Sequence, residues 1–134
     1  MSDGVVRLRM RREVKGLVST GDFAPWSSAA ELAPLMLAAY RGTPDDEGET
    51  LEDTIEVLED AMRGEWGPWL PEASFVALDA GVPVGAVLTA MYGELPFISF
   101  VFTSPKHAGT GVATRLISRA CEALAEQSYA TVDL

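Results

Sequence analysis

Phe97-Ile98-Ser99-Phe100-Val101-Phe102-Thr103 runs into Ser104-Pro105-Lys106-His107 and then Ala108-Gly109-Thr110-Gly111-Val112-Ala113, ahead of Thr114 and Arg115. The opening run is apolar on both faces, which suits a strand covered on both sides in the middle of a sheet. Beyond Gly111, apolar residues return at Leu116, Ile117, Ala120, Cys121 and Leu124, the spacing of one helical face, so residues 111–126 are expected to form a helix leaning on that sheet. Glycines between the two let the backbone turn sharply and bring N–H groups close to a ligand with no Cβ in the way. The first turn of the helix adds unpaired N–H donors and the positive end of its dipole. Strand, glycine turn and helix start together suit an anion such as a pyrophosphate.

Outward from this stretch, the chain reads as a sheet-and-helix protein. Residues 5–11 alternate apolar and basic side chains, as a half-buried strand does. A loop with Gly21, Pro25 and Trp26 follows; Ser28 and Glu31 then have capping-box spacing ahead of Leu32, Leu35, Met36, Ala39 and Tyr40, a first helix that ends at Gly42. Thr50 and Asp53 repeat the cap ahead of Leu51, Ile55, Leu58 and Met62, a second helix that stops near Gly64. Residues 65–71, rich in Pro, Gly and Trp, read as a loop or lid. Residues 75–78 and 84–92, joined by a turn at Asp79, Ala80 and Gly81, read as a hairpin, and a turn over 93–96 leads into the central strand. Residues 131–134 begin another strand. The expected order is β-α-α-β-β-β-α-β in one domain over 1–134, an α+β chain with a mixed central sheet and helices on both faces.

Composition narrows the function. The 134 residues are 48% hydrophobic and 22% charged, ordinary for a folded protein. No apolar run approaches the ~20 residues that cross a bilayer, and the N-terminal alternation is unlike a secretory leader, so the expected setting is cytoplasmic. One cysteine, Cys121, and one histidine, His107, offer no disulfide and no zinc ligand set. A formal charge of −10 argues against nucleic acid and anionic membrane as partners. Acidic residues crowd positions 45–72, whereas 95–121 holds none and carries Lys106, His107, Arg115 and Arg119 around the glycine turn.

The turn fits neither common phosphate loop. It lacks the Gly-Lys-Ser/Thr ending of P-loop enzymes, and it is not a G-x-G-x-x-G after a first strand. It resembles instead the GNAT superfamily of acyl-CoA-dependent N-acyltransferases, whose pattern R/Q-x-x-G-x-G/A falls on Ala108, Gly109, Thr110, Gly111, Val112 and Ala113, with Pro105 three residues ahead. Ala108 departs from the usual Arg or Gln, which removes a side chain and leaves the backbone donors. The element order is similar over nearly the whole chain. The resemblance implies that acetyl-CoA is the co-substrate, with no metal, and that the N–H groups of Gly109, Thr110, Gly111, Val112, Ala113 and Thr114, in the motif that Ala108 opens, hold its pyrophosphate. It implies further that the main chain of Val101, Phe102 and Thr103, on a bulged and splayed strand, pairs with the acetyl and pantetheine groups. The family continues past this point with another helix and two strands, often including a Tyr that protonates the thiolate. The expectation is therefore a C-terminally incomplete fold whose open strand edge at 131–134 favours a homodimer.

The implied reaction is direct attack of a neutral amine on the thioester, with the Val101 N–H donating to the oxyanion. Phe97 stands where some relatives carry a basic Glu; Glu94 in the preceding turn is the candidate base, set against the plainer role of a solubilising turn carboxylate. His107 is read as a phosphate contact, a base or a surface residue, and Cys121 as core packing. Lys106, Arg115 and Arg119 are candidates to balance phosphate charge. Trp66, Trp69 and Tyr92 either wall the acceptor site or pack beneath a loop. The acidic block, on the second helix and its flanks, would concentrate a small cationic amine or an amino terminus as acceptor. Two other readings stand beside the N-acetyltransferase: a noncatalytic GNAT-like module that binds acyl-CoA or assembles with another chain, and a general nucleotide-phosphate binder.

Overall fold

The computed structural model describes residues 11–13, 21–44 and 46–134. Among these, β1 (Arg11–Glu13), β2 (Asp22–Pro25), α1 (Ala29–Tyr40), α2 (Leu51–Met62), β3 (Phe75–Asp79), β4 (Val82–Tyr92), β5 (Leu95–Thr103), α3 (Val112–Glu126) and β6 (Thr131–Asp133) form one six-stranded mixed sheet with helices on both faces. The strand order is β1-β6-β5-β4-β3-β2, antiparallel throughout except for β5 and β6.

Local chemistry accounts for the boundaries. The Ser28 hydroxyl accepts the Glu31 N–H and starts α1. Thr50 and Asp53 exchange both bonds of a capping box and start α2. That box holds the Asp53 carboxyl below its ordinary range, through the Thr50 amide first and its hydroxyl second. Ala80 and Gly81 both take positive φ, the two-residue turn that matches the twist of the β3–β4 hairpin.

β5 is central, as its apolar run implies. One buried cluster fills the space between the sheet and α3 (Val84, Val87, Ile98, Leu116, Cys121, Leu124), and a second fills that between the sheet and α1 with α2 (Trp26, Leu32, Met36, Leu58, Leu88, Phe102). Gly85 lets α3 sit close: a Cβ there would come 2.8 Å from Val112 Cγ1 and 2.9 Å from the Phe102 carbonyl oxygen.

Several expectations change. The strand expected over 5–11 lies, apart from Arg11, outside the described residues. The strand that lines β3 before α1 is Asp22–Pro25, inside what reads as a loop; an edge strand this short has no periodicity to reveal it. β5 begins at Leu95, so its turn is only Gly93 and Glu94, with Tyr92 opposite Leu95. The segment over 65–71 is fastened to β4 and is no free lid: Leu70 N–H donates to Thr89 O at 2.9 Å and Met91 N–H to Pro68 O at 2.8 Å. The edge of β6 is not open, because Arg11–Glu13 pairs along it. The homodimer inferred from that edge loses its basis.

Candidate functional site

Two features of β5 build the site. Opposite β4, Leu88 faces Phe100 and Thr89 faces Ile98, so Ser99 is an extra residue bulged from the strand. Opposite β6, one Cα pair forms, Phe97 with Asp133. The bulge lies two residues ahead of the positions where the resemblance implies it.

Alternation along β5 decides which of its amides turn away from β4. Ser104 N–H donates to Val84 O on β4 at 2.8 Å. Because successive main-chain groups point to opposite sides, Phe102 also turns toward β4, while Val101 and Thr103 turn away from it. The Phe102 carbonyl, close over Gly85, agrees with this. Of the three residues expected to pair with a carrier, Val101 and Thr103 have main-chain groups on the side away from β4; Phe102 spends its own on the ladder and buries its ring against Trp26 at 6.4 Å.

The glycine turn follows. A short 3-10 turn (Pro105–His107) leads to Gly109 and Gly111, with φ of +78° and +87°. Ala108 N–H donates to Pro105 O and Thr110 N–H to His107 O, so the amide of Thr110, an expected donor, and that of Ala108, which opens the motif, are turned into the loop. Among the described residues, the amides of Gly109, Gly111, Val112, Ala113 and Thr114 have no acceptor; the first bond of α3 runs from Arg115 N–H to Gly111 O at 3.0 Å. Thr103, His107, Ala108, Gly109 and Gly111 line one cleft together with Val112, Ala113 and Thr114. Thr103 Oγ1 and His107 Nδ1 are buried and lack partners. The open amides line one hollow that suits an anion, with Thr103 Oγ1 and His107 Nδ1 buried and unpartnered in residues of its wall.

A second pocket lies on the other face of β5. Met36, Leu37 and Tyr40 of α1, Thr54 and Val57 of α2, the bulged Ser99, Phe100, and the carboxylates Glu47 and Glu49 line it. The loop carrying the carboxylates is braced by Asp46, which accepts from the Gly42 amide at 2.8 Å and the Gly48 amide at 3.0 Å and pairs with Arg41. Those two amides, with Arg41 beside them, hold the Asp46 carboxyl below the usual range. The Trp66 ring rests on Phe100 at 5.4 Å. Sequence reasoning pointed to the acidic block and missed Tyr40, Ser99 and Phe100, since a bulge leaves no mark in a strand apolar on both faces.

Other candidates separate from the site. Glu94 is exposed in the turn at the far end of β5, roughly 20 Å from Val101 at about 3.3 Å of rise per residue; it is out of reach as a base. Trp69 is structural, its indole donating to Ser74 Oγ at 3.0 Å, and the exposed Tyr92 leans on Phe97. Arg119 pairs with Glu122 and covers the Phe75 ring at 4.2 Å, away from the cleft. Cys121 is fully buried in the core. Arg115 donates from Nη1 to Thr110 O at 3.1 Å, on the inner side of the turn.

The model of the acetyltransferase (GNAT) family matches residues 39–134. No curated protein matches the sequence. Among solved structures, a GCN5-related N-acetyltransferase from Sphaerobacter thermophilus superposes with a TM-score of 0.73 at 14% identity, over 94% of this chain and 40% of that one. A GNAT family acetyltransferase from Brucella melitensis in complex with acetyl-CoA gives 0.58 at 22% identity, over 81% of this chain and 70% of that one. AAC(6')-Iy in complex with the bisubstrate analogue CoA-S-monomethyl-acetylneamine gives 0.54 at 20% identity, over 80% and 73%. The chain thus spans less than half the length of the Sphaerobacter protein and about seven tenths of the other two.

Proposed function

From the premise that this chain belongs to the GNAT acetyltransferase family, we propose that residues 1–134 form one acyl-CoA-binding domain that transfers an acetyl group from acetyl-CoA to an amine. One observation carries the reading: the unbonded amides of Gly109, Gly111, Val112, Ala113 and Thr114 line the same cleft as Thr103, whose Oγ1 has no partner. The glycine-turn amides would hold the pyrophosphate, and the Val101 and Thr103 main chains would orient the pantetheine arm. The bound thioester supplies an activated acyl group. Val101 N–H, turned away from β4, donates to the oxygen that gains charge as the amine attacks.

The acceptor enters from the opposite face, through the pocket at Ser99 and Phe100. Its apolar walls and the carboxylates of Glu47 and Glu49 suit a small cationic amine or an amino terminus. The Brucella protein is in complex with acetyl-CoA and AAC(6')-Iy with a bisubstrate analogue, which supports reading acetyl-CoA as the carrier here.

The test is CoA release from acetyl-CoA across a panel of neutral and cationic amines. Turnover that favours cationic amines is expected. Tight binding of acetyl-CoA without turnover on any amine would leave the noncatalytic acyl-CoA module instead.

A further inference from the structure

Beyond the pocket at Ser99 and Phe100, the same face of the sheet carries apolar side chains that stay open to solvent. Phe100 packs in the cluster beneath α1 and α2, and Leu88 opposite it does the same. Alternation along β4 then puts Ala90 and Tyr92 on that face, and their partners Phe97 and Leu95 with them. Tyr92 is 61% exposed and Leu95 38%, and the Tyr92 ring leans on Phe97 at 6.3 Å. Trp66, 48% exposed, closes the row on the pocket side, its ring 5.4 Å from Phe100. The loop that carries it is fixed. Gly67, at φ +116°, crosses β4 where a Cβ would strike the Met91 carbonyl oxygen, and Met91 N–H donates to Pro68 O at 2.8 Å. Apolar rings exposed side by side on a braced surface mark a place where something binds. From Ser99 to Leu95 this shelf runs roughly 13 Å at about 3.3 Å of rise per residue, the length of about four residues of extended peptide.

Charge decides what suits the shelf. Between Arg41 and Lys106 the chain has a single basic residue, Arg63, and that one pairs with Asp60. Glu47 and Glu49 stand in the pocket, and the exposed Glu65 and Glu94 adjoin Trp66 and Leu95 in the chain, at the two ends of the row. A second copy seated face to face would set these carboxylates against their like. A ligand with a cationic end and an apolar body meets no such repulsion. We propose that the shelf takes the residues behind the amino terminus of a peptide acceptor: the terminal amine enters the pocket, and bulky apolar side chains at the second to fourth positions lie over Trp66, Phe97 and Tyr92. The inference rests on the reading of the pocket as the acceptor site and names the substrate class within it. A small amine fills the pocket alone and leaves the shelf in water, whereas a peptide covers both. The shelf adds binding only, and the transfer itself is unchanged.

Acetyl transfer by the full chain tests this with three acceptors that share one first residue: its amide, a tetrapeptide amide with glycine at positions two to four, and a tetrapeptide amide with bulky apolar residues there. Wild type should favour the apolar tetrapeptide in kcat/KM by about tenfold over the other two, chiefly through KM. Tyr92→Ala and Trp66→Ala should each cut that preference about fivefold, and Tyr92→Phe, which keeps the ring, should retain it. The Trp66 indole ¹⁵N–H resonance should move on addition of the apolar tetrapeptide and stay in place with the simple amide. Equal kcat/KM for the three acceptors would overturn the proposal, as would a preference that both alanine variants keep. Sedimentation showing a dimer that Tyr92→Ala dissociates would also overturn it, since a second copy would then cover the shelf. No turnover with any acceptor would instead remove the acetyl-transfer reading on which it rests.

Discussion

Arg115 Nη1 donates to the carbonyl of Thr110 at 3.1 Å, so a side chain from the first turn of α3 closes the glycine turn that precedes it. The Thr110 carbonyl and the Gly111 N–H belong to one trans peptide and point in opposite directions. Holding the carbonyl inward therefore aims the Gly111 amide outward to the cleft. Arg115→Ala should raise the KM for acetyl-CoA several-fold, on the scale of one lost hydrogen bond, with little change in kcat or melting temperature. Steady-state kinetics checks it; an unchanged KM would mean that the turn holds itself.

Gly85 lies beneath the start of α3, where an added Cβ would come 2.8 Å from Val112 Cγ1 and 3.0 Å from Leu116 Cδ1. Gly85→Ala should push the helix from the sheet and destabilise the fold by about 1–3 kcal/mol, the usual range for overpacking. Urea denaturation gives the number. Stability equal to wild type would show that α3 is not seated on this glycine.

Glu47 and Glu49 face the apolar pocket at Ser99 and Phe100. The double change of both to Gln should raise the KM for cationic amines by up to about 30-fold and leave neutral amines unaffected, since each carboxylate contributes at most about 1 kcal/mol at a solvated distance of a few ångströms. Added salt should raise the wild-type KM toward that of the variant by screening. A KM that stays constant across a wide range of salt would contradict an electrostatic role.

Asp53 closes the cap of α2, and its carboxyl is held below the ordinary range by the Thr50 amide and hydroxyl. A carboxyl lowered in the folded state stabilises above its unfolded value and loses that contribution as pH falls through its folded one. The stability gap between wild type and Asp53→Ala should thus stay constant from pH 8 to about 5 and shrink below about 4. Thermal unfolding across this range measures it; a gap that widens on acidification would reverse the sign.

Much of this arrangement is legible in the residues, for particular reasons. The Thr50 and Asp53 pair writes the start of α2 directly, because the cap is a contact between residues three apart. The apolar run from Phe97 marks a strand covered on both faces, and the glycines at 109 and 111 mark the turn. Three features escape such reading. The Ser99 bulge is set by pairing with β4, and residues apolar on both faces carry no alternation for a slip to disturb. Asp22–Pro25 is a strand only because β3 lies beside it. The cover on β6 comes from Arg11–Glu13, more than a hundred residues away in the chain. Glu94 misleads for the related reason that nearness in sequence to β5 is not nearness to Val101 in an extended strand.

The proposed carrier contacts are main-chain amides, so an amide spectrum during titration reads them without any substitution. On adding acetyl-CoA to the ¹⁵N-labelled chain, the largest shifts should fall on Gly109, Gly111, Val112, Ala113 and Thr114, with Val101 and Thr103 following, and ATP or NAD at equal concentration should move them less. Shifts that gather elsewhere, or a spectrum that acetyl-CoA leaves unchanged, would contradict the account.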